Sequence, residues 1–220
     1  MIKIKDYDKE KQKISFITDM PVSLANAIRR SALEIPIMAI DEVEVSKNDS
    51  ALYDEIIAHR LGLIPIKTSK TIKEIKFKLK EKGPKTVYST DIKPTIGIDY
   101  KIPLVILGDG QEIEIVANAN LGKGIEHIKY SPGLVYYSHN LDKEIIDLVN
   151  LDEKGNINYD ENEMKGILSE EQIDNLKKLK KVDELVINIE SWKQIEAKDI
   201  FLRAIEALDK NLNELDKVIK

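Results

Sequence analysis

The chain has 220 residues, 42% apolar and 33% charged, with a formal net charge of −5. That is a globular composition with room for one large or two small domains, and its acidic balance argues against a protein that grips DNA by itself. Cysteine is absent, which excludes disulfides, thiolate nucleophiles and cysteine-ligated zinc or iron–sulfur centres. The first residues lack the apolar stretch of a signal peptide and no window approaches the ~18 apolar residues of a membrane span, so a soluble cytoplasmic protein is expected.

Ile2 and Ile4 alternate with lysines, and Ile14, Phe16 and Ile17 follow a charged turn, which predicts a β-hairpin. A helix follows over 22–34, with Pro21 tolerated at its start and Ile35-Pro36 as its stop. At 100° per residue Leu24, Ala25, Ile28 and Ala32 share one face, and Asn26, Arg29, Arg30, Leu33 and Glu34 the other. Two adjacent arginines present planar, permanently charged forks suited to carboxylates and interfaces, although spacing alone favours two solvated arginines on an ordinary surface helix. Val43 and Val45 alternate with Glu42 and Glu44, giving a strand over 38–46 that closes a small β-α-β unit with the hairpin.

Asn48, Asp49 and Ser50 offer N-cap oxygens to a short helix over 51–61, with Gly62 as a left-handed cap and Pro65 barring its resumption. This helix carries Asp54, Glu55, His59 and Arg60 within about two turns. From there to about residue 138, Gly and Pro punctuate strand-like runs, namely Ile75, Phe77 and Leu79 against lysines, residues 104–107, and Ile113 and Ile115 against glutamates. The glycines of Leu107-Gly-Asp-Gly-Gln111 predict a hairpin turn. Eight lysines, the first Lys67 and the last Lys85, raise nucleic-acid contact. Lys76, Lys78 and Lys80 line one face of a strand, however, as edge-protecting lysines do, and no aromatics interleave for base stacking. Leu121-Gly-Lys-Gly124 lacks the spacing of a phosphate-binding loop.

Residues 139–168 read as polar and irregular, followed by a Ser169–Gln172 capping box for a helix using Ile173, Leu176 and Leu179. Leu185, Ile187 and Ile189 alternate as a strand, with Trp192 just beyond. The last helix, over 196–219, places Phe201, Ile205, Leu208, Leu212, Leu215 and Ile219 at steps of 4 and 3, a heptad-like seam. Ala197 and Ala204 flank it, while Asp199, Glu206, Lys210, Asn213 and Lys217 line the other side. Full burial of those six residues is worth at most about 10–15 kcal/mol. So much apolar helical surface exceeds what short sheets can cover, and a partner helix pair, packed as four helices, is the simplest way to finish the core.

The residues LANAIRRSALEIPIMAIDEVEV and NDSALYDEIIAHRLGLIPI, followed in order by KGPKTVYSTDI and LGKGIEHIKYSP, resemble the signature of the alpha-type assembly subunits of cellular RNA polymerases, the family that includes the D-type subunit of the archaeal enzyme. The likeness spans most of 1–137 and, more weakly, 184–215. It implies an α+β fold in which 1–46 and 184–220 form a discontinuous dimerisation domain, a small sheet with two amphipathic helices. A β-rich domain is inserted over 47–138. Residues 139–183 become a reduced third region, since relatives that carry iron–sulfur clusters there use cysteines that this chain lacks.

The same likeness implies a non-catalytic subunit acting in transcription, without cofactor or metal of its own. A small L-type subunit would pack on Leu24, Ile28 and Ala32 and on Phe201, Ile205, Leu208, Leu212, Leu215 and Ile219. Asn26, Arg29, Arg30, Asp54, Glu55, His59, Arg60, Gly62 and Pro65 would face the second-largest subunit. The pair would be the platform for both large subunits and would touch small zinc-binding subunits, with no direct DNA contact required. Two other classes stay open at this point: an acid–base enzyme built on Asp54, Glu55, His59 and Arg60, and a nucleic-acid module on the lysine-rich strand.

Overall fold

A computed structural model describes residues 2–69, 71, 73–95, 97–141, 145, 148–151, 156–160, 164, 167–170, 172–173, 176 and 184–219. In chain order its elements are β1 (Ile2–Asp8), β2 (Lys13–Thr18), α1 (Val22–Ser31), β3 (Ile37–Asn48), α2 (Asp54–Gly62), β4 (Glu74–Lys82), β5 (Lys85–Tyr88), β6 (Pro103–Leu107), β7 (Glu112–Gly122), β8 (Gly133–His139), β9 (Val149–Leu151), β10 (Ile157–Tyr159), β11 (Leu185–Ser191) and α3 (Ala197–Ile219). The result is an α+β fold of small antiparallel sheets. Two compact units divide it, 1–29 with 135–190 and 30–134 with 191–220.

The first unit is built on a sheet of order β1-β2-β11-β8. β1 and β2 pair antiparallel from Ile2↔Thr18 to Asp8↔Lys13, as the alternation of their isoleucines dictates. The charged turn between them is closed by the Lys11 N–H donating to Asp8 Oδ1 at 2.9 Å. β11 lies along β2, from Leu185↔Thr18 to Glu190↔Lys13. Leu185, Val186, Ile187 and Ile189 are all buried, so this strand is covered on both faces and not only on the alternating one.

The segment expected to be irregular has a small core of its own. Ile145, Val149, Met164, Leu168 and Leu176 are buried together beside the β9–β10 hairpin. Its capping box is present: the Ser169 N–H donates to Gln172 Oε1 at 2.9 Å, and the Gln172 N–H to Ser169 Oγ at 3.3 Å. Leu179, expected on the same helix, lies outside the described residues. The core is hard to see in the sequence because it gathers residues from several short pieces, with no single period running through them.

In the second unit β7 is the centre of a sheet of order β3-β7-β4. β3 was expected to complete a β-α-β unit with the hairpin; it pairs instead with β7, from Ile37↔Gly122 to Asn48↔Ile113. Length favours this, since β3 has 12 residues and β7 has 11, and ten residue pairs match between them. The core lies on one side of this sheet, where Phe77 and Leu79 of β4 and Ile113, Ile115, Ala117 and Ala119 of β7 pack against Ile57 and Leu61 of α2. The register of β3 slips between Ile40 and Glu42, which leaves Asp41 as a bulge residue.

Three local expectations change. The turn at 107–111 forms, with the Gln111 N–H donating to the Gly108 carbonyl at 3.3 Å and Gly110 at φ +73°, but it does not make a hairpin. β6 pairs with β5 and β7 with β3 and β4, so the turn carries the chain from one sheet to another. Helix α2 starts three residues late, at Asp54, and its N-cap position is Tyr53, which has no side-chain cap. Asn48 folds the approach instead, donating to the Leu52 carbonyl at 2.8 Å and to Asp54 Oδ1 at 2.7 Å. Gly62 ends α2 inside the helix, without the positive φ of a left-handed cap, and Leu63 follows in the right-handed region.

Candidate partner-binding surfaces

At ~1.5 Å per residue α3 is about 35 Å long. It packs on the 3₁₀ turn Ala32–Glu34, and Asn211 Nδ2 donates to Glu34 Oε1 at 2.9 Å. Ala197, Ile200 and Ala204 are the buried line of the helix. Beside that line the seam faces outward: Phe201 and Leu208 are half-buried and Ile205 is exposed. Beyond Asn211 every described residue of the helix is exposed, including Leu212 at 56%, Leu215 at 54% and Ile219 at 75%. Counting heptads misses two members of this surface, Leu202 and Val218, both exposed. Their signal is simple hydrophobicity at positions that a two-per-heptad count does not reach.

The face expected on α1 divides. Leu24 is exposed, whereas Ala25, Ile28 and Ala32 are buried in this chain. Ile28 and Ala32 therefore offer no surface to another chain as the protein stands. At helical spacing Ala25, Ile28 and Ala32 form one narrow stripe with Leu24 at its margin, so a single helix face serves as core and rim at once. On the other side, Asn26 Oδ1 accepts from Arg29 Nε at 3.1 Å and Nη2 at 2.9 Å, which fixes one guanidinium at the helix surface. Arg30 is exposed.

On α2, Ile57 and Leu61 face the core and Asp54, Glu55, His59 and Arg60 are exposed. Arg60 Nη1 donates to the Leu104 carbonyl at 2.5 Å, which ties this cluster to β6. Gly62 and Pro65 are half-buried. The four polar residues stand on an exposed helix face, where water competes for each contact. Among the described residues no group of three or more His, Asp or Glu could hold a metal ion. His127 has a local task, since its Nδ1 accepts from the Lys129 N–H at 3.1 Å and caps the 3₁₀ turn Ile128–Tyr130.

The lysine-rich strand is β4, at the edge of its sheet, with Lys76, Lys78 and Lys80 outward and Phe77 and Leu79 inward. Several charges on it and on the neighbouring β5 are met by carboxylates. Lys80 pairs with Glu114 at 2.7 Å, Lys82 with Glu112 at 2.9 Å, and Lys85 with Glu81 at 2.9 Å. Lys47 also reaches Glu112, at 2.9 Å, and hydrogen bonds from Lys47 and then Lys82 hold the Glu112 carboxyl at about 2, well below its ordinary 4.5. Paired lysines leave less free charge for phosphates.

The glycines of the 121–124 loop are spacers for packing. A Cβ on Gly122 would lie 2.4 Å from the Tyr130 ring, and one on Gly124 would lie 3.0 Å from Leu33. Tyr130 itself is raised to about 12, by burial first and then by the Asp41 carboxylate beside it. Asp41 is held below the usual carboxylate range chiefly by Lys129, 2.6 Å away. No helix among the described residues is long and apolar enough to cross a membrane.

Comparison with known proteins places these surfaces in context. The family model described as the RNA polymerase Rpb3/Rpb11 dimerisation domain matches residues 16–212. DNA-directed RNA polymerase subunit Rpo3 of Pyrococcus horikoshii is 43% identical over 155 residues, covering 63% of this chain and 60% of that protein. Its counterpart in Methanocaldococcus jannaschii is 43% identical over 152 residues, covering 66% and 80%. The Natronomonas pharaonis protein of the same name is 28% identical over 96% of this chain and 95% of its own length. The chain spans about three fifths of the length of several of the curated relatives it matches.

Proposed function

Because this chain belongs to the RNA polymerase Rpb3/Rpb11 dimerisation domain family, we propose that it is a non-catalytic assembly subunit of a DNA-directed RNA polymerase, of the archaeal D type. Segments 1–46 and 184–220 act as the dimerisation domain, 47–138 as the inserted β-rich domain and 139–183 as a third region without iron–sulfur ligands. A small L-type subunit completes the core over α3. The second-largest subunit meets Arg29 and Arg30 and the surface from Asp54 to Pro65. The largest subunit assembles on that platform, and small zinc-binding subunits bring their own metal. Two-metal phosphoryl transfer belongs to the large subunits, and this chain needs neither cofactor nor DNA contact to do its part in the cytoplasm.

One observation carries the proposal. Leu212, Leu215 and Ile219 stand more than half exposed on a helix that buries Ala197, Ile200 and Ala204 in its first turns. Soluble monomers rarely leave a long apolar stripe in water, and helices with such a seam pair at a shallow angle with others like them. Co-expression with an L-type subunit is expected to give a soluble 1:1 complex by light scattering, against an association-prone chain on its own. A chain that is a stable, well-behaved monomer and ignores the L-type subunit overturns the proposal.

A further inference from the structure

A pocket of about 210 Å³ opens on the second unit, lined by Leu63, Pro65, Ile128, Lys129, Trp192 and Gln194. Leu63, Ile128 and Trp192 are exposed, apolar and close together. The Lys129 charge is met where it stands, by Asp41 at 2.6 Å and by the Tyr130 ring, whose centre is 5.1 Å away. Gln194 differs from the other walls. It is only 6% exposed, and its side-chain Oε1 is buried without a donor, the one such side-chain atom among the described residues. A native structure rarely leaves a buried acceptor unpaired, and ordered water or a group of another chain supplies the donor.

The loop that holds this amide has little freedom to relax. The Trp192 N–H donates to the Pro132 carbonyl at 3.1 Å, and the Gln194 carbonyl accepts from the Thr68 N–H at 2.9 Å. Ser191 Oγ accepts from the Lys193 N–H at 2.8 Å and donates to the Ile195 carbonyl at 2.5 Å. Lys193, a non-glycine residue, is held at φ +74°. Strain of that kind persists only where surrounding contacts over-determine it. The pocket is thus preformed, with apolar walls and Gln194, whose amide oxygen is unpaired, among its lining residues.

We infer that this pocket docks an extended peptide segment of a partner protein, which seats one apolar side chain between Leu63, Ile128 and Trp192 and gives a backbone N–H to Gln194. The inference rests on the assembly role proposed above and specifies the chemistry of one docking point. The volume falls below the roughly 300–1,000 Å³ of pockets that enclose small-molecule ligands, and suits one side chain. An extended strand keeps N–H groups free along its edge. A carboxamide carries an acceptor and donors side by side, as a peptide group does, so backbone matches it in either orientation.

The test uses the chain assembled into the reconstituted polymerase. Trp192 is the only tryptophan of the chain, so its hydroxyl-radical labelling, read by mass spectrometry, reports on the pocket alone. Labelling is expected to fall about tenfold on assembly. A benzophenone side chain placed at Ile128 is expected to cross-link to one extended, apolar segment of another subunit. Gln194→Met is expected to keep or raise the melting temperature of the isolated chain while speeding release of that subunit about tenfold. Assembly with Trp192 labelled as fast as in the free chain, or a Gln194→Met chain that melts earlier, overturns the pocket and leaves the assembly role standing. Failure of the unaltered chain to assemble at all overturns both.

Discussion

Ile200 and Val218 lie on one stripe of α3, about five turns apart on an ideal helix. Ile200 is fully buried, yet Val218 is 83% exposed. The helix is the same, the side chains are both β-branched and apolar, and only the surroundings differ. The helix packs on the 3₁₀ turn Ala32–Glu34, to which Asn211 is bonded, and beyond Asn211 every described residue of it is exposed. A periodic apolar face states that something must cover it; the same pattern does not say which chain does so. The point at which burial stops marks the edge of what this polypeptide completes by itself.

Five substitutions sharpen that contrast. Ile200→Ala has the largest expected effect, a loss of about 2–5 kcal/mol in the isolated chain by urea denaturation, whereas Val218→Ala should stay within about 0.5 kcal/mol. Equal losses at both positions would mean that the exposed half is covered after all. Next comes Leu212→Glu, expected to leave the isolated chain as stable as before but to abolish the complex with the L-type subunit, because the seam would bury an unpaired charge. Size-exclusion chromatography reads the outcome, and a surviving 1:1 peak removes Leu212 from the interface.

Arg30→Ala should leave that pair intact and weaken capture of the second-largest subunit by about tenfold, as a lost charge-assisted contact does. Undiminished capture in a pull-down would return Arg30 to the solvated surface. The smallest effect is expected at Glu112. Its carboxyl is lowered to about 2 in the folded protein, so the stability it contributes is present above its ordinary 4.5 and is lost as the pH falls from there through about 2. Glu112→Gln should flatten the acid limb of the stability curve over that window. The change should be small, because exposed ion pairs contribute little. A steeper acid limb in the mutant would reverse the assignment.

Much of the architecture is legible in the sequence, and the reasons are specific. Ile75, Phe77 and Leu79 against lysines is a period of two, and β4 forms with those faces. The 4-3 spacing from Phe201 to Ile219 is a helix period, and α3 ends where the seam ends. The four ordered motif blocks likewise point to the family that the comparison with known proteins supports. The candidate surface is legible in part: the exposed seam on α3 is readable from spacing, whereas Ile28 and Ala32 look the same in the sequence and turn inward.

What stays hidden depends on contacts distant along the chain. That β3 joins β7 and not the hairpin, and that the glycine-rich turn at 107–111 passes between two sheets, is decided by strand lengths and hydrogen-bond satisfaction between segments far apart in sequence. The unpaired Gln194 amide oxygen is of the same kind, since no local pattern announces that an acceptor will be buried without a donor. Local periodicity therefore determined which faces are apolar, because rotation per residue is a property of the backbone itself. Only the tertiary structure decided which of those faces this chain covers and which it leaves open, because burial is a property of the neighbours.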